Sequence, residues 1–228
     1  MISIIIPVIN EEMYLGRLLE YLGQHTSKSE VREILVVDGG SNDDTITVAK
    51  NFGATVIESK KGRAKQMNTG AKFATGELLY FLHVDTFPPP DFTYRILQAQ
   101  KNGSEAGCFR MRFDSQSRFL KFFAWFTRIN HPICRGGDQS LFISKDLFEK
   151  TNGFNEAYII YEDVEFVARL YSKTDFMILP QYVKTSARKY RKKGMLRLQY
   201  HFGIIHLKNY LGEGPEKLYD YYQRKIAL

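Results

Sequence analysis

Residues 62–86, GRAKQMNTGAKFATGELLYFLHVDT, decide the fold. Small and apolar residues recur along one side of residues 62–75, which predicts a helix. The apolar run Leu78–Leu82 follows, and its continuous hydrophobicity predicts a strand that is buried on both faces. His83 and Asp85 come directly after that strand. A helix that leads into a buried strand with a polar end is typical of a parallel α/β sheet.

The same alternation extends back to the amino terminus. Apolar runs at Ile2–Val8, Glu33–Val37 and Thr55–Glu58 predict three further strands. Leucines at helical spacing over residues 15–22 predict an amphipathic helix, and the turn at residues 39–42 can cap a second helix. Right-handed crossovers would place the carboxyl ends of these strands at one edge, where ligands of open α/β sheets bind. The fold class is therefore α/β, with a mainly parallel, Rossmann-like sheet flanked by helices.

The second half of the sequence has a less regular pattern. Pro88-Pro89-Pro90 interrupts the chain, and a break at Gly212–Pro215 separates two predicted C-terminal helices. With 228 residues, a single domain is expected. The other predicted elements are helices at Asp91–Lys101, Arg118–Ile129 and Val164–Leu170, and strands at Ala106–Phe113, Ser140–Ile143 and Phe176–Leu179.

The composition restricts the class of partner and the compartment. A net charge of +7 favours an anionic partner, which leaves nucleic acid, anionic lipid and phosphorylated substrates open. Much of the excess lies in Lys184–Lys193. Cys108 and Cys134 are too few for a disulfide framework and indicate reduced thiols in a cytoplasmic protein. The sequence shows neither a signal peptide nor an apolar run that would span a bilayer.

Polar residues at the ends of the first two strands are candidates for a nucleoside pocket. Pro7 and Glu11 lie at the end of the first strand, and Asp38 and Gly39 at the end of the second. A carboxylate at such a position accepts hydrogen bonds from ribose or base, and glycine lets a ligand approach the backbone. The alternative is structural, because the same residues cap helices and form turns.

Two further clusters carry acids. Asp85 at a strand end suits a divalent ion that bridges a diphosphate, or it is a turn residue. His83 is a metal ligand, a hydrogen-bond donor or a core histidine. Glu162 and Asp163 begin a predicted helix, where acids favour the helix dipole. Beside a sugar site, a carboxylate there could instead act as a general base.

The ordered set of motifs resembles the family 2 glycosyltransferases over nearly the whole chain. The matching pieces are IIPVINEE, VVDGGSNDDT, the stretch at 62–86, GGDQSLFISKDLFEKTNGF and YEDVEFVARL. The combination of HVDT, GGDQ and SARKY is similar to a small soluble bacterial subgroup. The resemblance implies a GT-A fold with a nucleotide-binding half at 1–86, an acceptor-side half at 87–190 and C-terminal helices at 191–228.

The resemblance also implies roles for individual residues. It implies transfer of a sugar from a nucleotide-sugar donor, typically uridine-linked, to an acceptor hydroxyl with inversion. Asp85 would bind Mn²⁺ or Mg²⁺ on the diphosphate, and Asp163 would be the catalytic base with Glu162 beside it. The remaining implied contacts are Pro7, Glu11, Asp38 and Gly39 with the nucleoside, Arg63 and Arg188 with the phosphates, and Gly137, Asp138 and Gln139 with the transferred sugar or the acceptor.

His83 departs from the family pattern, which usually has an acid at that position. With His83 and Asp85 as the metal ligands, a single carboxylate compensates less of the charge of a divalent ion. Imidazole also tolerates Mn²⁺ better than Mg²⁺. The substitution leaves open a catalytically inactive protein that only binds nucleotide sugars.

Two other activities are alternatives to this interpretation, and the sequence also suggests a location. A sugar nucleotidyltransferase would need a glycine-rich loop after the first strand, where only Gly16 is present. A nucleic-acid-binding module lacks a recognisable motif, so no nucleic-acid partner is expected. The aromatic run Phe119–Phe126 and the basic stretch Arg188–Arg197 suggest peripheral contact with the inner face of a membrane and a lipid-linked acceptor.

Overall fold

The computed structural model describes residues 1–227, with Gly137 described by its backbone alone. Eight strands form a single sheet in the order β3-β2-β1-β4-β7-β6-β8-β5. The strands are β1 Ile2–Val8, β2 Val31–Asp38, β3 Thr55–Glu58, β4 Leu78–Phe81, β5 Thr86–Phe87, β6 Ala106–Phe113, β7 Leu141–Ser144 and β8 Met177–Thr185. The helices are α1 Glu12–His25, α2 Thr45–Asn51, α3 Arg63–Phe73, α4 Phe92–Lys101, α5 Arg118–Trp125, α6 Lys145–Lys150, α7 Glu162–Tyr171, α8 Arg188–Lys193, α9 Met195–Tyr210 and α10 Pro215–Tyr222.

The sheet confirms the predicted α/β class and places a switch point at β1. Strands β3, β2, β1 and β4 are parallel, as the alternating pattern predicts. The chain moves outward from β1 to β2 and β3, and then returns to β4 on the other side of β1. Beyond β4 the sheet is mixed, because β7 is antiparallel to both β4 and β6. Ligands of open α/β sheets bind outside the carboxyl ends at such a switch point.

Strand β1 is the centre of the core. All seven of its residues are buried, because its alternate side chains enter two apolar layers. Helices α1 and α4 cover one face, and α3 and α7 cover the other. Gly70 allows α3 to lie close to the sheet, since a Cβ atom there would lie 2.5 Å from a methyl carbon of Ile5. The helix of the decisive stretch is thus fixed directly over the central strand.

Several element boundaries differ from the sequence prediction. Helix α5 ends at Trp125 rather than Ile129, and a 3₁₀ turn follows at Phe126–Arg128. Strand β8 continues to Thr185 instead of ending at Leu179. Its pairing with β6 shifts register between Leu179 and Tyr182, so that Pro180 falls in an irregularity where it need not donate a hydrogen bond. Pattern reasoning therefore ended this strand too early.

The C-terminal helices form a small apolar cluster of their own. Leu198, Ile205 and Leu218 are buried in it, and aromatic residues of the segment 158–161 pack against them. Tyr161 also shares a hydrogen bond of 2.7 Å with His206 of α9. The helices therefore brace the segment that leads into Glu162. None of the helices in residues 1–227 combines the length and the apolar composition needed to cross a bilayer.

Candidate functional site

The loops that follow β1 and β2 are tied to each other. The Asn10 amide donates to Ser41 Oγ at 2.9 Å, and the Asn42 amide donates to Asn10 Oδ1 at 2.8 Å. The Glu11 amide donates to Thr45 Oγ1 at 2.8 Å. Asn10 also adopts a positive φ of 53°, which only a few residue types tolerate well. The two predicted nucleoside loops thus form one rigid rim at the switch point.

Asp38 and its neighbours build the floor of this rim. Asp38 is buried, and its carboxylate accepts from the amides of Gly40 and Ser41 at 2.9 and 3.0 Å. These contacts fit the turn interpretation, and the nucleoside role of Asp38 stays a prediction. Pro7 lies in β1 opposite Val37. Gly39 is also buried, and a Cβ atom there would lie 3.0 Å from the side chain of Gln66.

Gln66 is a structural residue that the sequence analysis missed. Its buried amide donates to the carbonyl oxygens of Val8 and Val37 at 2.7 and 2.8 Å. Val8 is the last residue of β1, and Val37 is the last residue but one of β2. Gln66 therefore joins the two strands at the switch point. The sequence held one signal for this role, because Gln66 is a polar residue next to Met67, which lies on the apolar side of the predicted helix.

Arg188 joins the first loop to the end of β4. Its guanidinium donates to both carboxylate oxygens of Glu11 at 2.8 and 2.6 Å, and its Nε lies 3.0 Å from Asp85 Oδ2. The ring of Tyr14 lies under the guanidinium at 4.4 Å. Burial raises the pKa of Asp85, and the charge of Arg188 opposes that rise. The structure therefore brings together three residues that are predicted to serve the donor.

His83 lies between the carboxylates of Asp138 and Asp163. Its Nδ1 lies 3.7 Å from Asp138 Oδ1, and its Nε2 lies 3.7 Å from Asp163 Oδ2. Burial would lower the pKa of His83, but Asp138 and Asp163 outweigh burial and raise it. The surrounding protein opposes the ionisation of the half-exposed carboxylate of Asp138, but the nearby imidazole of His83 keeps the pKa of Asp138 below its usual value. His83 is thus placed to balance the charge of two acids.

Glu162 is fully buried and forms an ion pair with Arg63. Burial raises the pKa of Glu162, and the positive charge of Arg63 counteracts that effect. Neither oxygen of Glu162 has a hydrogen-bond partner among residues 1–227. Arg63 was predicted to lie near the phosphates. Its Nε is occupied by the ion pair with Glu162, while much of its side chain is exposed.

Asp163, the next residue, is mostly buried, and its carboxylate makes no hydrogen bond with a described residue. Tyr161 precedes these two acids with a positive φ of 70°, and Ser140 follows Gln139 with a φ of 62°. Backbone strain of this kind in a non-glycine residue costs about 1–3 kcal/mol and clusters at functional sites. One strained residue thus directly precedes Glu162, and another lies two residues after Asp138.

The predicted sugar-facing turn divides into outward and inward residues. Asp138 is half exposed beside His83. Gln139 is buried, and its amide group bonds to Arg135 and to the Cys134 carbonyl, at 2.7 and 2.8 Å. Gln139 therefore holds its own loop. Gly137 begins the 3₁₀ turn, and its surroundings lie outside what the structure describes.

The residues at the edge of the sheet could hold a metal ion only together with ligand atoms from a bound substrate. In the described part of the chain, no three acidic, histidine or cysteine side chains are grouped closely enough to hold a metal. Asp85 supplies one carboxylate, and Mg²⁺-type sites often use one or two carboxylates together with substrate phosphates. His83 faces Asp138 and Asp163 instead. The donor set thus suits an ion that is carried on a diphosphate.

Comparison with known proteins identifies the family and the fold. The family described as "Glycosyl transferase family 2" matches residues 3–156. An uncharacterized glycosyltransferase of Haemophilus influenzae is 27% identical in an alignment 193 residues long, which covers 77% of this chain and 64% of that protein. This chain thus spans somewhat less than two thirds of that relative's length.

Solved structures show the same fold at low sequence identity. The Staphylococcus aureus TarS fragment 1–349, solved with UDP, has a TM-score of 0.68 and 20% identity, with 81% of this chain and 60% of that chain covered. The mannosyltransferase PcManGT of Pyrobaculum calidifontis, solved with GDP-Man and Mn²⁺, has a TM-score of 0.73 and 18% identity. That match covers 97% of this chain and 69% of PcManGT. At these identities the likeness shows the GT-A fold.

The buried ion pair predicts a specific pattern of stability. Arg63→Met leaves Glu162 buried without its cation, so we expect the free energy of unfolding to fall by about 1–3 kcal/mol at pH 8. This range allows for solvent screening, since the Arg63 side chain is 45% exposed. Adding Glu162→Gln should recover much of the loss. Because the variant raises the pKa of Glu162 further, the penalty should shrink as pH falls and Glu162 gains a proton. Urea unfolding measures each value.

Arg17→Met is the matched control, because Arg17 is exposed and forms no ion pair with another residue of the range 1–227. It should leave the free energy of unfolding nearly unchanged. If Glu162→Gln recovers none of the loss in the Arg63→Met background, the buried pair is not the source of the penalty.

Proposed function

This chain belongs to glycosyl transferase family 2, and we propose that it transfers a sugar from a uridine diphosphate donor to an acceptor hydroxyl, with inversion at the anomeric carbon. The observation that carries the proposal is the pairing of charges at the carboxyl edge of the sheet. Arg188 and Asp85 lie at one side of the edge, and the carboxylate of Asp163 lies near His83. A cation for the leaving group and a base for the acceptor are the two groups that this reaction needs.

The donor half of the proposal rests on the first two loops and Arg188. We propose that the nucleoside lies against the rim formed by Asn10–Glu12 and Asp38–Asn42. The diphosphate then lies near Asp85, where it competes with the carboxylates for the guanidinium of Arg188. Arginine suits this exchange because its planar group binds phosphate and carboxylate with the same geometry. A divalent ion held between Asp85 and the diphosphate would supply further positive charge to the leaving group.

The acceptor half rests on Asp163. In the proposed step, an acceptor hydroxyl loses its proton to the Asp163 carboxylate as its oxygen forms a bond to the anomeric carbon. The bond from that carbon to the diphosphate oxygen breaks, and its electron pair stays on the diphosphate. Arg188 stabilises that charge. When protonated, His83 places a positive charge between Asp138 and Asp163, which reduces the repulsion between these two acids.

The donor proposal predicts selective nucleotide binding. We expect calorimetry with Mn²⁺ present to show tighter binding of uridine diphosphate than of guanosine diphosphate. Asp85→Asn should remove the Mn²⁺ dependence, and His83→Ala should weaken it less. The guanosine arm is needed because TarS was solved with UDP and PcManGT with GDP-Man. Equal binding of both nucleotides, or none, contradicts the nucleoside assignment.

The catalytic proposal predicts a loss of turnover without a loss of binding. Asp163→Asn is nearly isosteric and removes the proton acceptor, so kcat should fall by about 10²–10⁴-fold. The assay follows release of uridine diphosphate from its sugar conjugates with water as acceptor. Donor affinity should change little. Asp175→Asn, an exposed acid on the same half of the chain, is the control.

Two outcomes of this assay separate the alternatives. Full turnover in Asp163→Asn would transfer the role of base to Glu162 or Asp138. Binding of the nucleotide sugar with no turnover in the unaltered protein would indicate a binding protein that lacks catalysis.

We further propose that the enzyme contacts an anionic membrane through α9. The sequence pointed to the aromatic run at 119–126, in which Phe122 and Trp125 are indeed exposed. Helix α9 and the residue that follows it add exposed apolar side chains that the sequence analysis missed. At helical spacing they share one face: Leu196, Tyr200, Leu207, Tyr210 and Leu211. This helix contains no acidic residue, and Lys192, Lys193 and Arg197 lie at its amino-terminal end. An apolar face with basic flanks fits an anionic bilayer.

The membrane proposal predicts salt-sensitive binding to vesicles. The protein should co-sediment with phosphatidylglycerol-containing vesicles at low salt, and less at high salt or with phosphatidylcholine alone. Leu207→Gln with Leu211→Gln should reduce the sedimented fraction several-fold. Phe73→Gln, which removes an exposed ring on α3, is the control and should have no effect. No sedimentation at low salt contradicts the proposal.

A further inference from the structure

A second groove lies on the acceptor-side half, away from the rim of the donor loops. It has a volume of about 690 Å³ and lies between α5 and the strands β6 and β8. Four basic side chains line it, together with Trp125 and Tyr182. The four are Arg112, Lys121, Arg128 and Lys184.

The positive charge of this groove is not balanced by its own acids. Asp114 is the one acidic residue in the described lining, and its carboxylate accepts from the Ala187 amide and pairs with Arg191. Within residues 1–227, none of the four basic side chains forms an ion pair with an acid. Lys121 donates to Gln116, and Arg128 lies over the ring of Tyr182 at 5.8 Å.

The placement of two of these cations opposes stability. Arg112 and Lys184 are register partners on the adjacent strands β6 and β8. Like charges on directly opposed strand positions are unfavourable, and departures of this kind from local rules mark functional positions. The fold does not need both charges there, because both side chains are exposed.

Another groove of similar size shows that the charge imbalance is local to the groove beside α5. It has a volume of about 670 Å³, and its described lining contains Lys72 and Arg169 together with three acids, Glu149, Glu156 and Glu165. Arg169 pairs with Glu165 at 2.6 Å. Grooves of similar size on one chain thus differ in charge, so the net charge of +7 alone does not explain the basic lining.

The basic groove is connected to the catalytic edge through the backbone. Lys184 pairs with Phe87 of β5, two residues after Asp85. Asp114 holds the amide of Ala187, which directly precedes Arg188. The groove is therefore joined to the segments that carry Asp85 and Arg188 by two direct contacts.

We infer that this groove binds the acceptor, and that the acceptor carries a phosphate or carboxylate next to an apolar ring or sugar face. The cations bind the anionic group, and Trp125 packs against the ring. The inference rests on the proposed function, because it assigns the second substrate of that reaction. It also explains why two cations face each other on β6 and β8.

Trp125 provides a direct reporter, since it is the single tryptophan of the sequence. The probes are phenyl phosphate, benzoate and benzyl alcohol, and the readout is the fluorescence of Trp125. We expect saturable changes with at least one of the two anions and none with benzyl alcohol at the same concentration. Arg112→Gln with Lys184→Gln should weaken the anion response at least tenfold. Lys50→Gln with Lys101→Gln removes the same charge from exposed helix positions and should leave the response unchanged.

Calorimetry with uridine diphosphate and Mn²⁺ on the same variants separates this inference from the proposed function. Donor binding that persists in Arg112→Gln/Lys184→Gln, together with a lost anion response, supports the acceptor groove. An anion response that is absent, or equal in both double variants, while donor binding is intact overturns the acceptor groove alone. Absent donor binding in the unaltered protein overturns the proposed function instead.

Discussion

The interaction on which the rest of the site depends is the bridge that Arg188 forms between Glu11 and Asp85. It connects a loop at the start of the chain with a residue near its end, across the carboxyl edge of the sheet. Without a cation, the two carboxylates would be held near each other by the closely tied loops around them. The guanidinium satisfies both acids and leaves a planar face packed on Tyr14. The same group is well suited to a diphosphate, so the bridge prepares the charge that the proposed reaction uses.

The acceptor side is organised by a second set of opposite charges. Glu162 is buried against Arg63, and His83 lies between Asp138 and Asp163. The C-terminal helices hold the segment before Glu162 through their own apolar cluster and the Tyr161–His206 hydrogen bond. Helix α7 therefore begins in a strained conformation that packing maintains. This rigidity keeps Asp163 in place at the edge of the sheet, with no hydrogen bond from a described residue to occupy it.

Sequence alone predicted the parallel half of the sheet because each of its strands is a continuous apolar run. The bounds of β1, β3 and β6 were predicted without error. It also predicted which residues meet at the edge, since the carboxyl ends of parallel strands converge. It could not predict partners, because a pairing such as Glu11 with Arg188 depends on tertiary packing. The pairing of Arg63 with Glu162 was not expected from the sequence, nor was the inward position of Gln139, which holds Arg135. The sequence did not reveal the exposed face of α9, because its apolar residues are equally consistent with burial in the core.

The most direct test of this account is a crystal structure of the protein with uridine diphosphate and Mn²⁺. The account predicts the nucleoside on the rim formed by Asn10–Glu12 and Asp38–Asn42, with the guanidinium of Arg188 moved from Asp85 to the diphosphate. It also predicts that Asp163 stays beside His83, facing the position of the transferred sugar. A nucleotide bound elsewhere on the chain, or one bound at the rim while Arg188 keeps both carboxylates, would contradict it.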